Sequence, residues 1–378
     1  MLSICLLTRN AEAQIPGVLK SVAPLGFEIL VGDTGSTDST ITIVESLGAR
    51  VVRVPWEDDF SKAQNHVVAL ATHPWVFWIN PDEELLNPSQ SQFDALLKQQ
   101  DALAFVVRVQ EMARPNQLDH LVESWAPRIT RRIPQLRYQG RLHPHFDPSL
   151  QEVARQQQKQ VILTDLVIRH HGYLSTVTDD KLRWAIRLLE LELKDRPNQL
   201  HYMIEYGRNL LRLNDPRGHE ILGNACRLLL ASLDTAQPLS PSAASLLEYI
   251  LQVPPEQSQS PLSADQAGAL ALRYFPKSPP LIWFVAQKAF LAGKFDQSAR
   301  LLESLLEMGQ SKTYDHSAPF DPGIMHEKAL LNLGKCYYQL GDLPRAQACF
   351  EKTMDKPGFQ EESLREIKRI KDRLSLPK

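Results

Sequence analysis

The sequence predicts two folds in succession: an α/β domain on a mostly parallel sheet, then an all-α domain of paired helices. Three observations carry this. From Ser3 to Ile79 short apolar runs alternate with helical stretches, and polar clusters follow several of the runs. Beyond Gly172 the pattern is helical almost to the end. Within that stretch large and small residues recur at the spacing of stacked helix pairs.

Ser3 to Leu7 is a compact apolar run ending in Thr8-Arg9-Asn10, and a helix pattern follows to Val22. Phe27 to Val31 leads into Gly32-Asp33-Thr34-Gly35-Ser36-Thr37-Asp38, where Gly35 permits a tight turn. Ser39 to Leu47 then has helical spacing. Arg50 to Val54 and Trp75 to Ile79 are β-branched or aromatic and read as buried strands. Strands joined by helices form a parallel sheet with right-handed crossovers, and such sheets bind ligands beyond the carboxyl ends of their strands. The clusters Thr8–Asn10, Gly32–Asp38 and Asn80–Glu84 all fall at those ends.

Leu103 to Ile168 is basic and strand-like, with Arg128, Arg131, Arg132, Arg137 and Arg141 close together. A break near Gly172 divides the chain into domains over 1–175 and 176–378. Thr178 or Asp179 caps the first helix of the second domain, which runs through Leu193 and stops before Pro197. Leu330, Leu333, Gly334, Tyr337, Ala346 and Phe350 follow the tetratricopeptide pattern, with Gly341-Asp342 at the turn and Pro357 near the stop. A weaker copy runs from Ile282 to Leu306, and a third begins around Met203 and Gly207. Gln237 to Pro280, rich in Pro, Ser and Gln, reads as an irregular connection holding one or two short helices.

The 378 residues suffice for two cores, and 43% hydrophobic with 23% charged residues is ordinary for a soluble globular protein. With 42 basic and 44 acidic side chains, the net charge of -2 gives no electrostatic case for nucleic acid or an anionic membrane. Cys5, Cys226, Cys336 and Cys349 stand too far apart for a zinc knuckle, and read as buried small hydrophobes in a reducing cytoplasm. Met1 to Leu7 is too short for a signal segment. No run reaches the ~18 apolar residues of a membrane span. The longest, Val67 to Ile79, is broken by His73 and Pro74. The expectation is a cytoplasmic protein without a span, its oligomeric state open, a homodimer included.

Trp78-Ile79-Asn80-Pro81-Asp82-Glu83-Glu84 carries the most chemistry. Carboxylates at the end of a buried strand can hold a divalent cation, and such a cation stabilises a departing diphosphate. The plainer reading is a solvated turn. In the Gly32–Asp38 segment a carboxylate just after a strand can bond a base or ribose edge. The plainer reading there is an Asx turn with a helix cap.

In order, Leu6-Leu7-Thr8-Arg9-Asn10, Val31 to Asp38, Trp56-Glu57-Asp58-Asp59-Phe60-Ser61-Lys62-Ala63-Gln64-Asn65 and Trp78 to Glu83 resemble the family 2 glycosyltransferases of the GT-A fold. The resemblance is to the compact branch that includes SunS-type peptide glycosyltransferases and tetratricopeptide-tailed relatives. It continues through Arg137 to His143, His170-His171-Gly172-Tyr173 and the helix from Lys181 to Lys194. It implies that Thr8, Arg9 and Asn10 line a nucleotide pocket and that Asp33 bonds the base or ribose. Asp82 matches the acid that ligates Mg²⁺ or Mn²⁺, and His143 the late histidine near metal and diphosphate. It further implies a UDP-sugar donor, a protein, peptide or glycan acceptor, and inversion by a carboxylate base.

Four positions depart from that pattern. Ala11 stands where an acid commonly follows the asparagine, Gln64 replaces arginine, Asn80 replaces the first acid, and Pro144 replaces glutamate. Asn80 can still bond a ribose hydroxyl. Pro144 removes the best base, leaving Glu123 and Asp147 as substitutes. His170 and His171 join the metal site or close the domain. The arginines between Arg128 and Arg141 bind a diphosphate or anionic acceptor, or form a solvated strand face. The substitutions also suit a degenerate transferase acting as a peptide-binding scaffold. A nucleotidyltransferase would need a basic glycine-rich loop that Thr8-Arg9-Asn10-Ala11-Glu12 does not supply.

Overall fold

A computed structural model describes residues 1–112, 121–146, 149–171, 178–233, 239–254 and 259–375. The chain divides into two compact units, with the main boundary between Pro197 and Asn198. The helix Asp179–Asp195 therefore belongs with the first unit, although sheet has already given way to helix before it.

The first unit is built on ten strands: β1 (Leu2–Thr8), β2 (Glu28–Asp33), β3 (Arg50–Arg53), β4 (Trp75–Trp78), β5 (Glu83–Leu85), β6 (Ala102–Met112), β7 (Leu121–Arg131), β8 (Tyr138–Gln139), β9 (His145–Phe146) and β10 (Gln160–His170). Eight of them form one sheet in the order β3-β2-β1-β4-β7-β6-β10-β5, and β8 pairs with β9. The β1–β2, β1–β4, β2–β3 and β6–β10 pairs are parallel, whereas β4–β7 and β5–β10 are antiparallel. This is the mostly parallel sheet that the apolar runs predict.

Both faces of β1 are buried, which is why it reads as a continuous apolar run. Leu2, Ile4 and Leu6 meet Ile15, Val18, Leu19 and Val22 of the helix Ile15–Val22. Those four positions make one apolar helical stripe. Cys5 faces the other side, in a core with Ala63 and Val67 of the helix Phe60–Leu70. The four cysteines are all buried and unpaired.

In the second unit the helices pack in pairs: Leu200–Arg212 on Arg217–Ser232, Pro279–Leu291 on Phe295–Ser311, and Glu327–Leu340 on Leu343–Glu351. The stretch from Gln237 to Pro280 holds two helices, Pro241–Gln252 and Ala264–Tyr274. Local signals start both. Pro241 sits in the first turn, where a missing N–H costs nothing, and Ser263 with Gln266 forms a capping box. Among the described residues no helix is long and apolar enough to cross a membrane.

Close approach of paired helices depends on Gly334. A Cβ there would meet Cε1 of the fully buried Phe350 ring at 2.7 Å. Gly334→Ala is expected to destabilise the helical unit by about 1–3 kcal/mol through overpacking, read as a lower midpoint in denaturation followed by circular dichroism.

Candidate nucleotide-sugar site

The site grows from the carboxyl ends of β1, β2 and β4. These strands lie side by side and parallel, with Thr8 opposite Asp33 and Cys5 opposite Trp78. Their loops therefore leave one edge of the sheet together. Asp33 is buried and its carboxylate accepts from the amides of Gly35 (3.0 Å) and Ser36 (3.1 Å). Gly35 turns through a left-handed φ of 107°. The Asx turn is thus present, and it fixes the acid at the rim.

The two loops are stitched to each other. Thr34 donates its amide and hydroxyl to the Thr8 carbonyl at 3.0 and 3.1 Å. The Asn10 amide donates to Ser36 Oγ (2.9 Å), and the Thr37 amide donates to Asn10 Oδ1 (2.8 Å). Asn10 therefore shapes the rim, while Arg9 is exposed beside it. Thr8 differs: its Oγ1 is buried and has no hydrogen-bond partner in the protein. An unmet buried hydroxyl costs free energy that a bound ligand can recover.

Next to them, Asn80-Pro81-Asp82 turns from β4 into β5. Glu83, only 1% exposed, lies under this turn. Its carboxylate accepts from the Asn80 amide (2.7 Å) and Nδ2 (3.1 Å), and pairs with Arg128 Nη2 at 2.5 Å. Trp78 Nε1 in turn donates to Asn80 Oδ1 at 3.3 Å. Asn80 is an amide for a physical reason: it faces a buried anion on one side and an N–H on the other.

Asp82 projects from the turn, with its side chain 36% exposed. Its Oδ2 lies 3.2 Å from His170 Nε2, and His170 Nδ1 lies 3.6 Å from Glu111 Oε1. Burial works against a charged His170, but the hydrogen bonds to Asp82 and Glu111 outweigh it and raise its pKa to about 10. Burial likewise works against ionised Asp82, yet His170 and then Arg128 hold its carboxyl below the usual range. Of the two alternatives for the histidine pair, His170 stands at the acidic turn, and His171 Nε2 lies 3.3 Å from Glu84 Oε2.

His143 is exposed, in a left-handed conformation with φ 45°. Glu123 is buried, accepting from Gln110 Nε2 (2.9 Å) and paired with Arg108 (3.3 Å). Asp147 lies outside the described residues, as do Gly172 and Tyr173. Among the described residues no three His, Cys, Asp or Glu side chains gather as a metal cage.

Within the arginine cluster Arg132 and Arg137 are exposed, as a solvated face has them, but every member also bonds within the protein. Arg128 pairs with Glu83, and Arg131 lies over the Trp75 ring and donates to the carbonyls of Gln99, Gln100 and Ala102. Arg132 donates to the His73 carbonyl, Arg137 to that of Pro134, and Arg141 to that of Asp58. These arginines tie chain segments together, a role that basic composition alone does not distinguish from anion binding.

Restoring the family acid by Asn80→Asp would set a second carboxylate against buried Glu83 and remove a donor. The expected cost is about 1–3 kcal/mol, measured by urea denaturation, with no gain in cation affinity by calorimetry.

Residues 3–154 match the family described as glycosyl transferase family 2. The chain is similar to a TPR repeat-containing protein of Synechococcus elongatus, 32% identical over 56% of this chain and 53% of the relative. It is similar to an uncharacterized glycosyltransferase of Rickettsia bellii, 31% identical over 30% of this chain and 39% of the relative. It is also similar to the glycosyltransferase SunS of Bacillus subtilis, 24% identical over 53% of this chain and 47% of the relative. At most, then, the matched stretch covers about half the length of these curated relatives. The ordered rim motifs and these likenesses agree: residues 3–154 are similar to family 2 glycosyltransferases, SunS among the relatives matched, and a helical tail follows.

Proposed function

We propose that the chain transfers a sugar from a uridine diphosphate donor to a protein, peptide or glycan acceptor, with inversion and with Mg²⁺ or Mn²⁺. In this reading the sheet-bearing unit through Pro197 binds the donor and the helices from Asn198 present the acceptor. The observation that carries it is the buried, unpartnered Thr8 hydroxyl, on a strand whose end adjoins the Asp82 turn.

The residues present fit such a cation. A small hard ion keeps several waters and needs one or two carboxylates besides the ligand's phosphates. A single half-exposed acid, Asp82, can meet that demand if the ion shares its carboxylate with His170 or displaces it. When bound, the ion would offset the charge that develops on the leaving diphosphate. Thr8 would donate to the nucleotide, Asp33 would present an acceptor edge, and Asn80, locked between Trp78 and Glu83, would hold the turn in register. Arg9 and His143, both exposed, would meet the phosphates in this reading.

The engagement of Glu123 by Arg108 and Gln110 favours a second reading, a binding scaffold without a base. Calorimetry with uridine diphosphate, with and without Mn²⁺, separates the two. The enzyme reading expects metal-dependent binding and release of sugar from at least one member of a nucleotide-sugar panel. Asp82→Ala is expected to lower that release by about 100-fold, as loss of one strong charge-stabilising group does. Equal turnover in wild type and Asp82→Ala would sink the reading, and absence of both binding and turnover would favour the scaffold.

A further inference from the structure

The segment Gly140-Arg141-Leu142-His143 is held in a conformation that it would not keep unaided. His143 has φ 45° and Gly140 φ 113°. A left-handed non-glycine residue is strained, and persists where its surroundings over-determine it. Those surroundings are specific. The Gly140 and Arg141 carbonyls accept from the Ser61 and Phe60 amides at 3.3 and 3.0 Å. On the other side the Arg141 amide donates to Glu192 Oε2 at 2.8 Å. Glu192 is fully buried, and Arg196 Nη2 supplies its counter-charge at 2.7 Å. Arg141 Nη2 adds an ion pair with Asp195 at 2.6 Å.

Glu192 belongs to the helix Asp179–Asp195, beyond the residues matched to the family. A buried acid normally answers a cation, and Arg196 would suffice for that. The additional bond to a main-chain amide is what couples this acid to the segment ending in His143. The helix has other anchors: Arg187 pairs with Asp58, and Trp184 packs on Trp56 and Phe60 with ring centroids 6.5 and 5.9 Å away. Losing Glu192 therefore leaves the helix attached.

We propose that Glu192 is a positioning residue of the donor site, holding the Arg141 amide so that His143 stands in its left-handed conformation to meet the donor's diphosphate. This rests on the donor-site reading above. Glu192 touches no substrate. It acts through the backbone, two residues from the imidazole.

The test uses the full chain with Glu192→Ala, Glu192→Gln, His143→Ala and the double variant Glu192→Ala/His143→Ala. Hydrogen exchange over residues 138–143 reads the clamp, and calorimetry with uridine diphosphate plus Mn²⁺ reads the ligand. Glu192→Ala is expected to speed exchange there and to weaken binding about 10-fold, as loss of a supporting hydrogen bond behind a ligand-binding group does. Glu192→Gln keeps an oxygen for the Arg141 amide, while the partly exposed Arg196 can turn to solvent; protection and affinity should both survive. On the His143→Ala background, Glu192→Ala should cost no further affinity. Additive losses, or Glu192→Ala binding like wild type, would overturn the proposal. If the alanine variant fails to fold, Glu192→Asp withdraws the oxygen by one methylene and carries the same expectations. A wild type that binds no nucleotide sinks the donor-site reading instead, while the exchange measurement still reports whether Glu192 holds the segment.

Discussion

Glu83 is an anion almost sealed from water, and the rim of the sheet is arranged to keep it so. Removing a carboxylate from solvent costs several kcal/mol unless its lone pairs are met. Here they are met by the Arg128 guanidinium and by two N–H groups of Asn80. The backbone from Trp78 to Leu85 has little freedom left once those bonds form. The next acid, Asp82, must then project outward, where His170 receives it. One buried charge thus determines where the half-exposed one stands.

The same logic runs along the rest of the rim. Asp33 is held by backbone amides, and the loops after β1 and β2 are cross-linked through Thr34, Asn10 and Ser36. Groups fixed this way need little reorganisation when a charged ligand arrives, which is where electrostatic stabilisation gains most. Thr8 differs from Asp33 and Asn10: its buried hydroxyl has no partner in the protein, a lack that Arg128 Nε shares.

Much of this was legible in the residues. Apolar runs located β1, β2 and β4 because a strand buried on both faces cannot alternate with polar positions; β3, expected to be buried, is instead an edge strand exposed at Arg50 and Arg53 and half-buried between them. Thr178 proved to be the cap of Asp179–Asp195, its hydroxyl accepting from the Lys181 amide. The Gly334–Phe350 contact underlies the tetratricopeptide spacing. What was not legible joins residues far apart in sequence. Nothing local announces that Arg128 serves Glu83, that Glu123 is held by Arg108, or that Glu192 grips a backbone amide 51 positions away. Each is set by strand order or helix docking. Basic and acidic side chains therefore read as ligand groups until their partners are known.

The departures from the family pattern bear on whether the site is built or decayed. Decay should leave substituted positions loosely placed. Instead Ala11 is buried, and its amide donates to the Thr40 hydroxyl at 2.8 Å, a space too closed for a solvated acid. The acid stands one residue later: Glu12 Oε2 accepts from the Ser39 amide at the start of the helix Thr40–Ser46. Asn80 is bonded on both sides. At these two positions the local structure fits the residue present, as expected where a site has been reshaped. Gln64 is different, because its buried Oε1 lacks a protein partner as Thr8 Oγ1 does. At Gln64, unlike Ala11 and Asn80, the local structure does not fully meet the residue present.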